Sequence, residues 1–281
     1  MGGGWMGWRG GGSYGRGRVG RVEGKDGVVG RGVRVWVAGV GALAAVVAVA
    51  GCGAGDVEGA PVERKVFEFA GKALTVDSDD SELVITAADV TGVRVERQVD
   101  GWVFMGSGPE ASWKLVDGRL TLRVECDGVA ASCGAVHRIQ VPRGVAVTVE
   151  DGNGDVTAEG FDTPLKVRSD NGEVRVRQGG GALDLASGNG DVVVEGGITA
   201  PELVARSDNG DVRITLGAVP RKVDVVTDNG DVSVSVPQGE YEVAGGSDNG
   251  DVRFDVPRRD GSGHVVSVRT DNGDVVVRTV N

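Results

Sequence analysis

One motif constrains this chain more than any other feature. From residue 150 onward the pattern Ser/Thr-x-Asn-Gly-Asp-Val returns seven times with small departures. The copies are Asn153-Gly154-Asp155, Asn171-Gly172-Glu173, Asn189-Gly190-Asp191, Asn209-Gly210-Asp211, Asn229-Gly230-Asp231, Asn249-Gly250-Asp251 and Asn272-Gly273-Asp274, so the asparagines are spaced by 18, 18, 20, 20, 20 and 23 residues. Apolar residues flank each copy with period two, as Leu165 and Val167 do before Asn171 and Val174 and Val176 after it. Alternation of this kind marks strands with one buried face. Each repeat therefore reads as strand, Asn-Gly corner, strand, glycine-containing loop. Asn-Gly supplies two consecutive residues that tolerate positive φ. The following Asp can accept backbone N–H groups, and the Ser or Thr before the Asn is small enough to sit inside a corner.

Two all-β architectures fit. In a β-solenoid, parallel β-helix-like, each repeat of about 18–20 residues is one coil and equivalent residues stack. In the alternative, each Asn-Gly is a hairpin turn in an antiparallel sandwich or barrel. Near-equal repeat lengths favour the solenoid, because stacking needs similar coils. Residues 62–150 carry a degenerate form of the theme, with Asp80-Ser81 where later copies have Asn-Gly. Phe67, Phe69, Trp102, Phe104 and Trp113 concentrate there, and an irregular aromatic section can cap one end of a solenoid. The last copy ends at Val280-Asn281, which leaves the far end to a partner or to charges on the edge strand.

The organisation expected from sequence is thus an extension or misassigned start over 1–30, an export segment over 31–51, a tether over 52–61 and a β-strand-repeat domain over 62–281, divided into a capping part (62–150) and regular repeats (151–281). Residues 1–30 are rich in Gly and Arg. Residues 35–51 are uncharged and apolar, follow Arg31 and Arg34, and read as a secretory signal. They end at Val49-Ala50-Gly51-Cys52, which resembles the bacterial lipobox; cleavage there would leave a lipidated Cys52 as the N-terminus. An uncleaved membrane helix and cleavage without lipid are the alternatives. The net charge of −11 hides a basic leader before an acidic body. That body argues against nucleic acid as a partner and against electrostatic binding to anionic lipid.

Val141–Val149 followed by serial Ser-Asp-Asn-Gly-Asp-Val copies resembles the putative-adhesin β-strand-repeat family, a domain of unknown function in exported or membrane-anchored bacterial proteins. The resemblance covers roughly residues 65–281. It implies a β-helical fold, no known catalytic residues and a role at the cell envelope, with some relatives linked to envelope-stress signalling.

Chemistry is scarce. Cys126 and Cys133 lie close together in a chain expected outside the membrane, which favours a disulfide over free thiols or a metal site. The histidines are His137 and His264, the latter read as a solvated loop residue. No nucleophile, phosphate-binding or zinc motif occurs. In a solenoid the acidic residues form two columns, Asp155, Glu173, Asp191, Asp211, Asp231, Asp251 and Asp274, and Asp170, Asp208, Asp228, Asp248 and Asp271. Stacked carboxylates need an offset, either backbone N–H groups, arginines or cations such as calcium. The expectation is a non-catalytic, lipid-anchored protein on the extracytoplasmic face of the cell membrane. It would present its scaffold to an envelope protein or cell-wall polymer, without a cofactor. A calcium-stabilised surface protein is the alternative. A polysaccharide-acting enzyme is disfavoured by having only Phe161, Tyr241 and Phe254 as aromatics in the repeats.

Overall fold

The computed structural model describes residues 57–280; the 35–51 segment and Cys52 lie outside them. A 3₁₀ turn, Val57–Gly59, precedes nineteen strands. The first five are β1 (Glu63–Glu68), β2 (Ala73–Asp80), β3 (Glu82–Ala88), β4 (Gly92–Val116) and β5 (Arg119–Pro142). The regular repeats follow as β6 (Ala146–Asn153), β7 (Val156–Glu159), β8 (Leu165–Asn171), β9 (Val174–Gly179), β10 (Leu183–Asn189), β11 (Val192–Ile198), β12 (Glu202–Asn209), β13 (Val212–Leu216), β14 (Lys222–Asn229) and β15 (Val232–Val236). The last four are β16 (Glu242–Asn249), β17 (Val252–Asp255), β18 (Val265–Asn272) and β19 (Val275–Thr279).

The period-two pattern sets the fold directly. In β8, Leu165, Val167 and Ser169 are buried while Lys166 and Asp170 are exposed. Each strand–corner–strand unit is a coil, and its strands pair in parallel with the equivalent strands of neighbouring coils rather than with each other. This is the solenoid. Among the described residues antiparallel pairing is confined to β1 with β4 and β4 with β5. Equivalent apolar residues stack through all eight coils in the column Leu74, Val147, Leu165, Leu183, Leu203, Val223, Val266, Val243. Every member but Val243 is at most 4% exposed.

The order of that column corrects one expectation. The last coil in sequence, β18–β19, is not the end of the stack. It lies between β14–β15 and β16–β17, so the coil that comes earlier in sequence forms the open end. The burial reason is plain. β18 and β19 supply Val266, Val268, Val275 and Val277, all fully buried. At the corresponding positions β16 and β17 place Val243 and Phe254, both half-buried, and Gly245 and Val252, both exposed. The apolar coil goes inside and the glycine-rich one faces solvent at an edge. Tyr241 fills the crossing. It is fully buried, and its hydroxyl donates to the Pro237 carbonyl at 2.7 Å. It also meets the His264 ring edge-on at 6.3 Å, and His264 Nδ1 bonds to the Pro220 carbonyl at 2.8 Å. His264 is therefore a half-buried pin, not a solvated loop residue.

The other end is capped. β5 forms a ninth layer, with Arg119–Leu122 beside β2 and Val136–Pro142 beside β3. β4 lies antiparallel on it and β1 on β4. Phe67, Phe69 and Trp113 pack against the core from this side. Arg97 stacks over the Trp113 ring at 4.1 Å and binds Glu63 at 2.7 Å. Here the compact corner is replaced. Residues 99–110 of β4 and 125–135 of β5 pair with each other and with no third strand, forming a two-stranded arm.

Candidate functional site

The seven Asn-Gly corners, six followed by Asp and one by Glu173, come together along one edge. Their physical role differs from the one expected of Asn-Gly. No asparagine there has positive φ; only the glycine does, from 145° to 159° at six of the seven corners. A Cβ at Gly190 would run into the Gly172 carbonyl of the next coil, so both φ and space demand glycine. The asparagines instead form a ladder. Asn153 Nδ2 donates to Asp80 Oδ1 at 2.8 Å, and Asn171 donates to Asn153 at 2.9 Å. Asn189, Asn209, Asn229, Asn272 and Asn249 continue the chain at 2.9 to 3.1 Å. Every amide donates toward the cap, where the Asp80 carboxylate ends the series. Such side-chain ladders are the signature of in-register parallel stacking.

The acidic column after the glycines is held as expected, by backbone N–H groups. Asp155, Asp191, Asp211, Asp231 and Asp274 each accept through Oδ1 the amide of the next corner, at 2.8 to 2.9 Å. Glu173 is too long for this and pairs with Arg175 instead. Arg213 spans Asp191 and Asp211. The buried hydroxyls of Ser187, Ser207, Thr227 and Thr270 donate to glycine carbonyls one coil away. In the second column, Asp248 and Asp271 share Arg269, while Asp170 and Asp208 are exposed. Among the described residues no group of three or more His, Cys, Asp or Glu is arranged to hold a metal ion.

Two buried polar groups break the pattern near the cap. Asp151 occupies the Ser/Thr position of the first corner, between Ser78 and Ser169, with neither carboxylate oxygen in a well-formed hydrogen bond. Burial pushes its carboxyl up to about 7; Ser78 opposes the rise, and Asp80, Asp79 and Asp170 add to it. His137 is fully buried with both ring nitrogens unpartnered. Burial, then the Arg97 charge, lowers it to about 4. Among the described residues neither His137 nor His264 has a hydrogen-bonded side-chain partner. Phe161 and Tyr241 are buried and Phe254 half-buried, so none forms an open sugar platform.

Cys126 and Cys133 are joined in a disulfide across the β5 half of the arm. Cys52 lies outside the described residues. Sequence reasoning missed the asparagine ladder, the Tyr241–His264 pin and the Arg97–Trp113 cap. The ladder was visible as seven asparagines at a fixed offset from the inward valines. The pin was signalled only by the longer final spacing of 23 residues.

Comparison with known proteins agrees with this geometry. Residues 143–278 match the family described as Toastrack DUF4097. A solved structure of a putative adhesin from Bacteroides fragilis NCTC 9343 superposes with a TM-score of 0.50 at 15% identity, covering 78% of this chain and 97% of that one. A putative adhesin from Parabacteroides merdae ATCC 43184 gives 0.42 at 16% identity, over 80% and 98% of the two chains. A search of the curated proteins gives no match.

Proposed function

With residues 143–278 a Toastrack DUF4097 domain, we propose that this chain is a non-catalytic, lipid-anchored protein of the cell envelope. It holds a rigid β-solenoid on the extracytoplasmic face of the membrane for adhesion, partner binding or envelope-stress signalling. The observation that carries the reading is how the central columns of the long corner edge are engaged. Its carboxylates accept backbone amides, its asparagines bond one another, and its hydroxyls bond carbonyls. An edge so engaged is a scaffold rather than a reaction centre. The position of Cys52 after an apolar, uncharged run supports the anchor. The partner is an envelope protein or a cell-wall polymer rather than nucleic acid, because the chain's net charge is −11.

The anchor is tested on the chain expressed in a bacterial host. Mass spectrometry of the N-terminal peptide should find a diacylglyceryl group on Cys52, and Cys52→Ala should leave an unprocessed precursor. An unmodified Cys52 in a processed chain would end the lipid-anchor reading.

A further inference from the structure

The exposed apolar side chains are unevenly placed. Among the described residues the large exposed hydrophobics are Val62, Val66, Trp102, Phe104, Met105, Val116, Val129, Val219 and Val252, and all but the last two belong to the capping end. Four of them sit on the arm. Trp102 is 53% exposed, Phe104 57%, Met105 73% and Val129 77%. Phe104 pairs with Ala130 and Trp102 with Ser132, and the Cys126–Cys133 disulfide, with Cα atoms 6.5 Å apart across seven residues, folds the ribbon back at this stretch, which forms the arm's tip. Residues 101–109 and 128–136 carry no charge at all, whereas Asp100, Glu110, Glu125 and Asp127 flank them. The disulfide closes the β5 half of this tip.

The arm also stands where the chain enters the fold. Gln98, at the base of the arm, donates to the carbonyls of Val57 and Ala60 at 3.3 and 3.1 Å. Cys52 is five residues before Val57. A chain that short spans at most about 18 Å when fully extended. A lipid on Cys52 therefore brings a bilayer surface within reach of the arm's base.

We infer that the arm is a second, non-covalent membrane contact, whose Trp102, Phe104, Met105 and Val129 tip enters the bilayer interface beside the anchor. This rests on the lipid-anchored reading above. Trp is at home at that depth, with an apolar ring body and a polar N–H. The contact works through apolar partition and not charge, because the acids flanking the tip repel an anionic surface. The covalent lipid supplies retention. The arm supplies posture: two contacts fix how the solenoid stands on the membrane, where one would leave it to swivel on its tether.

The test uses the lipidated chain purified from membranes and reconstituted into vesicles of phosphatidylethanolamine and phosphatidylglycerol, with or without brominated acyl chains. Bromine at the interface should remove Trp102 emission. The quenchable component should vanish in Trp102→Phe, while Trp113, packed against the core, stays bright. Phe104→Ser with Met105→Ser should reduce the quenching, with an unchanged circular dichroism spectrum showing that the fold is intact. A chain that floats with the vesicles but keeps its full Trp102 emission in brominated lipid would overturn the arm contact and leave the anchor standing. A chain that does not float at all would overturn the anchor, and the arm contact with it. Trp102 shielded from iodide before any lipid is added would also overturn the proposal, by placing the tip against protein.

Discussion

The regular coils from β6 to β15 and the capping section from β1 to β5 solve the same problem by different means. Both must turn a chain between two sheet faces without stranding polar groups. The regular coils use one short corner, repeated, so most corner polar groups, the asparagine amides and the Asp Oδ1 atoms above all, meet a partner in the neighbouring coil. The cap has no counterpart on its outer side. It turns instead through a long arm with a disulfide, closes with antiparallel strands, and buries an arginine against Trp113. Translational repetition satisfies polar groups at no cost in sequence variety, whereas termination needs specific and irregular chemistry. Seven of the nine large exposed hydrophobics among the described residues, and the unpartnered buried groups, lie at or beside the irregular end.

The harshest way to break this contrast is at a corner glycine. Gly190→Ala combines a positive φ of 156° with a collision against the Gly172 carbonyl. It should cost at least about 4 kcal/mol in denaturant unfolding, or abolish folding. Gly144→Ala also has positive φ, at 81°, but meets nothing within 4 Å. It should cost only about 1 kcal/mol. Equal losses at the two sites would mean that the close coil-to-coil approach is not what demands glycine.

The two buried titratable groups beside the cap come next, and they oppose each other. Asp151 is raised from 3.8 to about 7, so the fold binds its proton more tightly than the unfolded chain does. Its contribution is full at low pH and is lost as pH rises from about 4 to 7. His137 is lowered from 6.5 to about 4, so the unfolded chain protonates first and stability is lost as pH falls through that window. Between about pH 4 and 6.5 the two slopes nearly cancel. Asp151→Ser, which restores the repeat pattern, should unmask a rise of about 3 kcal/mol across the window. His137→Leu should unmask a fall of similar size. Parallel pH profiles for the two variants would refute the opposition.

Ladder rungs are worth less singly. Asn209→Ala removes one donated and one accepted hydrogen bond and should cost about 1–2 kcal/mol. Asn249→Ala, at the exposed open end of the ladder, removes two donated bonds, at 3.1 and 3.3 Å, but leaves no following rung without its acceptor, and should cost less, about 1 kcal/mol or under. Equal costs would argue against a directional ladder. The smallest effect is expected from chelation. The Asp Oδ1 atoms of the corner column already accept backbone amides, so melting in calcium and in chelator should coincide. A drop of many degrees in chelator would replace amides by cations as the offset to the stacked charges.

How far the sequence could be read follows the same division. The strands, the inward columns and the role of the corner Asp as an amide acceptor were legible from 150 onward. Each depends on residues a few positions apart, repeated seven times. The Cys126–Cys133 bridge was legible from spacing and context. The asparagine ladder was not, because its bonds join residues 18 to 73 positions apart and exist only once coils stack in register. Nor was the insertion of β18–β19 between earlier coils. Local pattern makes every coil look equivalent, and only competition for burial decides that a valine-rich coil goes inside and a Gly245-Gly246 coil faces out.

The sequence by itself therefore determined what kind of object this is: a stack of short strands with glycine corners, preceded by an apolar segment ending at a cysteine. The tertiary structure alone decided the order of the stack, the pairing of Arg97 with Trp113, and the exposure of Trp102, Phe104 and Met105 on an arm. The physical reason is range. Backbone conformation and alternation are fixed by near neighbours, whereas burial and side-chain partnership are fixed by which distant coil arrives alongside.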